Sequence, residues 1–143
     1  MQLTQFTDYS LRALIYIGVR QKICTINEIS IAYSISRNHL IKIIHRLSQI
    51  GIVKTIRGKN GGIEMAISPD KINLKQLILK LEPNFDLVPC FNQNKEPCRI
   101  ASACKLQTIL YEAQKAFLTV LEKFTLADIM HNQAALHQLL KIN

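Results

Sequence analysis

Ser36-Arg-Asn-His-Leu-Ile-Lys-Ile-Ile-His-Arg-Leu-Ser-Gln-Ile50-Gly51 runs directly into Ile52-Val-Lys-Thr-Ile56, Arg57-Gly-Lys-Asn-Gly-Gly62 and Ile63-Glu-Met-Ala-Ile67, and this stretch decides the fold. Ser36 is an N-cap residue type, whose hydroxyl can accept from a free amide of the first helical turn. Leu40, Ile43, Ile44 and Leu47 then recur at the spacing of one buried helical face. Gly51 supplies the left-handed residue that ends many helices. The two short apolar runs that follow read as strands, and the glycine-rich stretch between them as their reversal.

Upstream, Thr25-Ile-Asn-Glu28 matches a capping box and opens a helix through Ile29, Ala32 and Tyr33. The break at Ser34-Ile35 is short enough to join the two helices as a helix-turn-helix. An earlier apolar segment, Phe6 to Val19, reads as a helix with Leu11, Leu14, Ile15 and Gly18 on its buried face. A basic hairpin directly after a recognition helix is a wing. The expected class is therefore mostly α, a winged helix-turn-helix occupying residues 1–82.

Downstream, Asn73 caps a short helix through Leu74, Leu77, Ile78 and Leu81, stopped by Pro83. Residues 83–104 read as a cysteine-bearing loop, and in a metal-free form residues 88–103 are expected to be poorly ordered because nothing apolar holds them. Residues 105–143 hold the end of the chain: a long helix from near Ser102 to Lys123, then a helical tail including 126–130 and 134–140. Leu106, Ile109, Leu110, Ala113, Phe117, Val120, Leu121 and Phe124 form a stripe too broad for one small domain to cover. Pairing with the same helix of a second copy would cover it, which predicts a homodimer with a long C-terminal dimerisation helix.

The chain carries a net charge of +8 over 143 residues. Residues 1–67 hold nine basic and three acidic side chains, a net of +6; residues 68–143 hold nine and seven, a net of +2. The polyanion-facing charge thus sits with the helix-turn-helix. No apolar run approaches the roughly 18 residues of a membrane span, and no secretory signal is visible, so a cytoplasmic location is expected. No nucleophile–base pair or dinucleotide fingerprint is present, and the wing lacks the order of a phosphate-binding loop, so an enzyme is not expected.

With Leu40, Ile43, Ile44 and Leu47 inward, Asn38, Lys42, His45 and Gln49 face outward, flanked by Arg37 and Arg46. Such side chains suit base edges and phosphates of double-stranded DNA, and residues at the start of a recognition helix reach furthest into the groove. The predicted DNA-binding set is Thr25, Ser36, Arg37, Asn38, His39, Lys42, His45 and Arg46, joined by Arg57, Lys59 and Asn60 of the wing.

Cys90, Cys98 and Cys104 form the other constellation, spaced C-x7-C-x5-C. Three thiolates on one loop can converge on a metal centre, but zinc fits poorly without a close C-x2-C pair. An iron–sulfur cluster tolerates longer spacings and normally wants a fourth ligand. Cys24, beside apolar Ile23, reads as a small buried residue. Asp8, near a helix start, favours the helix dipole whether or not it does anything else.

Met1-Gln-Leu-Thr-Gln-Phe-Thr-Asp-Tyr-Ser-Leu-Arg-Ala-Leu-Ile-Tyr16, Ser36-Arg-Asn-His-Leu-Ile-Lys-Ile-Ile44, Thr55-Ile-Arg-Gly-Lys-Asn-Gly-Gly62, Leu81-Glu-Pro83, the cysteine triplet and Phe124-Thr-Leu-Ala-Asp128 span nearly the whole chain. Together they resemble the nitric-oxide-sensing repressors of a bacterial family of winged-helix iron–sulfur regulators. The resemblance implies a homodimer whose long helices cross, each half reading half of a palindromic operator. It implies one cluster per subunit on Cys90, Cys98 and Cys104, [4Fe–4S] in preference to [2Fe–2S], with Asp8 of the partner subunit as fourth ligand. It also implies nitric oxide as the signal, dismantling the cluster and lowering operator affinity. A related regulator of cluster biogenesis has a histidine three residues after the last cysteine, where this chain has Gln107. Two other readings of the same architecture stay open: a regulator reporting cluster status, and a metal-free redox regulator using a disulfide.

Overall fold

The protein, described by a computed structural model over residues 2–92 and 94–142, begins with a helix against which several later elements pack. That helix, α1 (Gln5–Arg20), is capped by Thr4, whose side chain accepts from the Thr7 amide. It is followed by α2 (Ile26–Tyr33), α3 (Arg37–Gln49), β1 (Val53–Ile56), β2 (Gly62–Met65), α4 (Leu74–Leu81), α5 (Lys105–Glu122) and α6 (Gln133–Leu139). Short 3-10 turns lie at Pro69–Lys71, Pro89–Phe91, Ala101–Ala103 and Asp128–Met130. The architecture is a mostly α winged helix-turn-helix with a long C-terminal helix, as the sequence predicts. Among the described residues no helix is long and apolar enough to cross a membrane.

Each predicted cap is present. Thr25 and Glu28 form the reciprocal capping box, and Ser36 accepts from the His39 amide at 3.3 Å. Gly51, at φ +74°, takes the left-handed position after α3. The predicted stripes of α3 (Leu40, Ile43, Ile44, Leu47) and α4 (Leu74, Leu77, Ile78, Leu81) are all buried. Burying such a side chain is worth about 1.5–3 kcal/mol, so packing rather than propensity holds α3 in place. The two strands pair antiparallel with Val53 opposite Met65 and Ile56 opposite Gly62.

The α1 face is present but wider than the predicted stripe: Leu14 and Gly18 are buried, Leu11 and Ile15 pack half-buried against the core, and Ala13, Tyr16, Ile17 and Val19 join it. The reason is that α1 is central: α3, β2, α4 and α6 all pack against it, so no single stripe describes it. Gly18 lets the turn at 128–130 approach, because a Cβ there would meet the Met130 sulfur at 2.7 Å.

Two other expectations shift. The long helix starts at Lys105 rather than near Ser102, because Ala101–Ala103 form a 3-10 turn and Cys104 is extended. Residues 126–130 form a turn rather than an α-helix. Thr125 donates its amide (2.6 Å) and its hydroxyl (2.8 Å) to Asp128, whose carboxyl these bonds hold below the usual carboxylate range. Asn73 both caps α4 and donates to the Glu122 carbonyl at 2.7 Å, fastening the end of α5 to the winged helix.

Candidate functional site

The buried stripe of α3 fixes which of its residues face away from the core. Arg37, Asn38, His39, Lys42, His45 and Arg46 are all exposed, as are Arg57, Lys59 and Asn60 at the wing tip. Gly58 turns the wing at φ +110°, a conformation open to glycine and strained for other residues. The result is a cationic surface made of one helix and one hairpin on the same half of the chain.

Three predicted members already have hydrogen-bond partners, and a fourth has an aromatic one. The Thr25 hydroxyl bonds Glu28 at 2.9 Å, and the Ser36 hydroxyl accepts from α3, so both side chains build helix starts. Arg46 donates to the Lys80 carbonyl at 3.0 Å, tying the C-terminal end of α3 to α4. His39 stands against Tyr9 of α1 with ring centroids 6.2 Å apart. Neither the Tyr9 contact nor the Lys80 contact was legible in the sequence, because each joins helices distant along the chain.

Cys24 is fully buried and lies beside Ile63, whose carbonyl accepts from the thiol at 3.6 Å. Burial pushes the thiol up to about 12; Glu28 adds to the shift and Arg20 opposes it. Its burial in the core sets Cys24 apart from Cys90, Cys98 and Cys104, none of which is fully buried. The folded state thus keeps a proton that the unfolded chain gives up near its ordinary value of 9.0. The associated stability is complete below that pH and is lost as pH rises towards about 12. Tyr33, also pushed up to about 12 by burial, contributes in the same direction. Thermal melts should show a midpoint falling across this window, with a shallower fall in Cys24→Ala; equal slopes in the two proteins would refute the cysteine's share.

Cys90, Cys98 and Cys104 are free thiols, two of them half-buried and Cys98 exposed. Cys104 is the residue immediately before α5. The carbonyl of Cys90 accepts from Gln107 Nε2 at 3.1 Å, one turn into α5. Phe91 meets Tyr111 edge-on with centroids 6.4 Å apart, and Gln114 donates to the Phe85 carbonyl. The expectation that nothing apolar holds residues 88–103 is corrected at one point, where Phe91 packs against Tyr111. Among the described residues no three His, Cys, Asp or Glu side chains stand together as a ready metal site. The donor chemistry nevertheless fits an iron–sulfur cluster, since soft, unpaired thiols are its usual ligands.

Asp8 lies in the first turn of α1 and pairs with Arg12 at 3.0 Å. Both side chains are roughly half exposed, at 44% and 47%. Such a pair is worth about 0–1 kcal/mol, too little to prevent the carboxylate from taking another partner. The N-terminus of α1 is also fastened to the C-cap of α4, the residue just before the cysteine loop. Glu82 accepts from the Thr4 amide at 2.8 Å and from the Thr4 hydroxyl at 3.1 Å.

Apolar residues of α5 divide between two faces. Leu110, Phe117 and Leu121 are half-buried. Leu106, Ile109, Ala113, Ala116 and Val120 are exposed and follow one another at intervals of three and four residues.

Residues 3–132 match the sequence profile of Rrf2, described as an iron-dependent transcriptional regulator. The chain is 44% identical to the HTH-type transcriptional regulator NsrR of Bacillus subtilis, over 99% of both chains. It is 41% identical to the protein of that name from Halalkalibacterium halodurans, again over 99% of both. Its fold is shared with CymR, the global cysteine regulator of B. subtilis, at 23% identity and a TM-score of 0.71 over 92% of this chain and 97% of that one. It is also shared with IscR of T. potens, at 21% identity and a TM-score of 0.72 over 92% and 88%.

Proposed function

The chain belongs to the Rrf2 family of transcriptional regulators and is closely related to NsrR, and from that premise we propose that it is a nitric-oxide-responsive repressor acting as a homodimer on palindromic operator DNA. One observation carries the reading: a single small chain joins an exposed cationic reading head to a loop holding three unpaired thiols. In this division of labour residues 1–82 read DNA, 83–104 sense, and 105–143 dimerise.

Arg37, Asn38 and Lys42 contact bases and phosphates from the start of α3, while Arg57, Lys59 and Asn60 follow the neighbouring backbone from the wing. His39, His45 and Arg46 lie along the same exposed surface, and Thr25 and Ser36 hold the helix starts that face the phosphates. Cys90, Cys98 and Cys104 hold an iron–sulfur cluster, [4Fe–4S] in preference to [2Fe–2S], one per subunit, with Asp8 of the partner subunit completing the set. When bound, the cluster supplies an iron open to a small diatomic molecule, because a carboxylate oxygen is a weaker ligand to it than a thiolate. Glu82, the residue just before the loop, joins the end of α4 to Thr4 at the start of α1, Tyr9 joins α1 to His39, and Arg46 joins α3 to α4. Those contacts supply a route by which a change at the loop alters the setting of α3.

Protein purified without oxygen should be brown, contain iron and sulfide, and bind operator. Stoichiometric nitric oxide should weaken that binding at least tenfold, about 1.4 kcal/mol, and Cys104→Ser should abolish the iron. Unchanged operator binding after the cluster has been destroyed by nitric oxide would rule the reading out. A colourless protein that loses operator on oxidation would instead favour a thiol–disulfide switch, and Mössbauer spectra separate the two cluster types.

A further inference from the structure

Gln107, Tyr111 and Gln114 recur on α5 at intervals of four and three residues, so they share one helical face. That face is the one against which the first part of the cysteine loop lies. Gln107 donates to the Cys90 carbonyl at 3.1 Å, Tyr111 meets Phe91, and Gln114 donates to the Phe85 carbonyl. The same side chains wall a cavity of about 470 Å³ together with Asp86 and Cys90. It is a different face from the exposed seam of Leu106, Ile109, Ala113, Ala116 and Val120.

The Gln107 bond is the most consequential of the three. Cys104 precedes α5 and Gln107 stands one turn further on, so a bond from Gln107 to Cys90 brings both ends of the 90–104 segment to one end of the helix. We propose that Gln107 is a positioning residue, which closes the cysteine loop onto the start of α5 and so presents Cys90 beside Cys104 before any cluster arrives. This deepens the sensing reading and rests on it for its purpose, although the clamp itself is a property of the protein alone. The physical logic is preorganisation. Closing a segment of this length costs conformational entropy, and the Gln107 and Gln114 amides with the Phe91–Tyr111 contact meet that cost within the polypeptide. Ligation by the thiols then begins from a loop already closed.

The test compares full-length wild-type protein with Gln107→Met and with Gln107→Glu, which keeps the shape but replaces the donor by an acceptor. In metal-free protein, alkylation of Cys90, Cys98 and Cys104 by iodoacetamide is followed by mass spectrometry. Rates are taken relative to Cys98 in the same molecule. Wild-type Cys90 should react more slowly than Cys98; in both variants the Cys90 to Cys98 ratio should rise several-fold while the Cys104 to Cys98 ratio stays put. After reconstitution with iron and sulfide, both variants should also lose the cluster's visible absorption to a chelator several-fold faster than wild type. An unchanged Cys90 ratio in variants that melt cooperatively overturns the proposal. A wild-type protein that takes up no iron overturns the sensing reading, and the alkylation ratio still decides the clamp.

Discussion

Asn38→Ala combined with Lys42→Ala is expected to weaken operator binding by about 2–6 kcal/mol, roughly 30-fold to 10⁴-fold. Both side chains are exposed, and they stand on a helix whose opposite face is buried through Leu40, Ile43, Ile44 and Leu47. Their removal therefore leaves the core as it was, and the melting free energy should stay within about 0.5 kcal/mol of wild type. The two residues separate by the form of the loss. An amide can pair two ways with an adenine edge, so Asn38→Ala should relax preference at one operator position. A lysine acts on phosphate as a point charge, so Lys42→Ala should weaken all sequences alike and reduce the salt slope by about one. Fluorescence anisotropy on wild-type and point-changed operators, across a salt series, measures both. A double variant that binds within threefold of wild type would show that α3 does not read the operator.

Thr25 and Ser36 provide the contrast. Their hydroxyls are already committed to helix starts, so their substitution by alanine acts first on stability, by about 1 kcal/mol. Arg46 behaves likewise in part, because its bond to the Lys80 carbonyl joins α3 to α4. The sequence shows that a side chain is polar and on the outer face of a helix. It does not show whether that side chain already has a partner within the fold.

The same distinction separates what was legible from what was not. Local signals were read directly: the Thr25–Glu28 box, the Ser36 and Asn73 caps, Gly51 at positive φ, and the stripes of α3 and α4. Each rests on residues within one or two turns of one another, where backbone geometry alone dictates the pattern. The buried surface of α1 is wider than the apolar stripe in the sequence because a helix packed on several sides has no single period. The fastening of Glu82 to Thr4, of Gln107 to Cys90 and of Tyr9 to His39 lay beyond sequence periodicity for another reason. Each joins residues from separate elements, and only the fold brings them within reach. The cysteine triplet stands out by its spacing as a candidate donor set, while its attachment to α5 does not show in the sequence.

Ile109→Glu with Val120→Glu is expected to convert the proposed dimer into a folded monomer and to lower operator affinity by at least about 10³-fold, roughly 4 kcal/mol. Leu106, Ile109 and Val120 are 61%, 60% and 53% exposed, on a helix that has no fully buried residue. With Ala113 and Ala116 between them, they follow a three–four repeat, which keeps one face of a helix turned towards a partner helix. The two alanines leave room for close approach of the helices, and the larger residues flank them. A two-fold contact presents every substitution twice, so two changes place four carboxylates in an interface that was apolar. Burying each Leu, Ile or Val contributes about 1.5–3 kcal/mol, and those contributions are exchanged for charge repulsion and desolvation. Operator affinity falls further than any single contact would explain, because the proposed dimer would link two half-sites and a monomer would bind each alone. Sedimentation velocity should show half the wild-type mass at all accessible concentrations. The far-ultraviolet dichroism per residue should be retained, since these side chains are exposed within one chain. Persistence of the wild-type mass in the double variant would mean that α5 does not form the dimer, and with it would go the pairing of two reading heads through this helix.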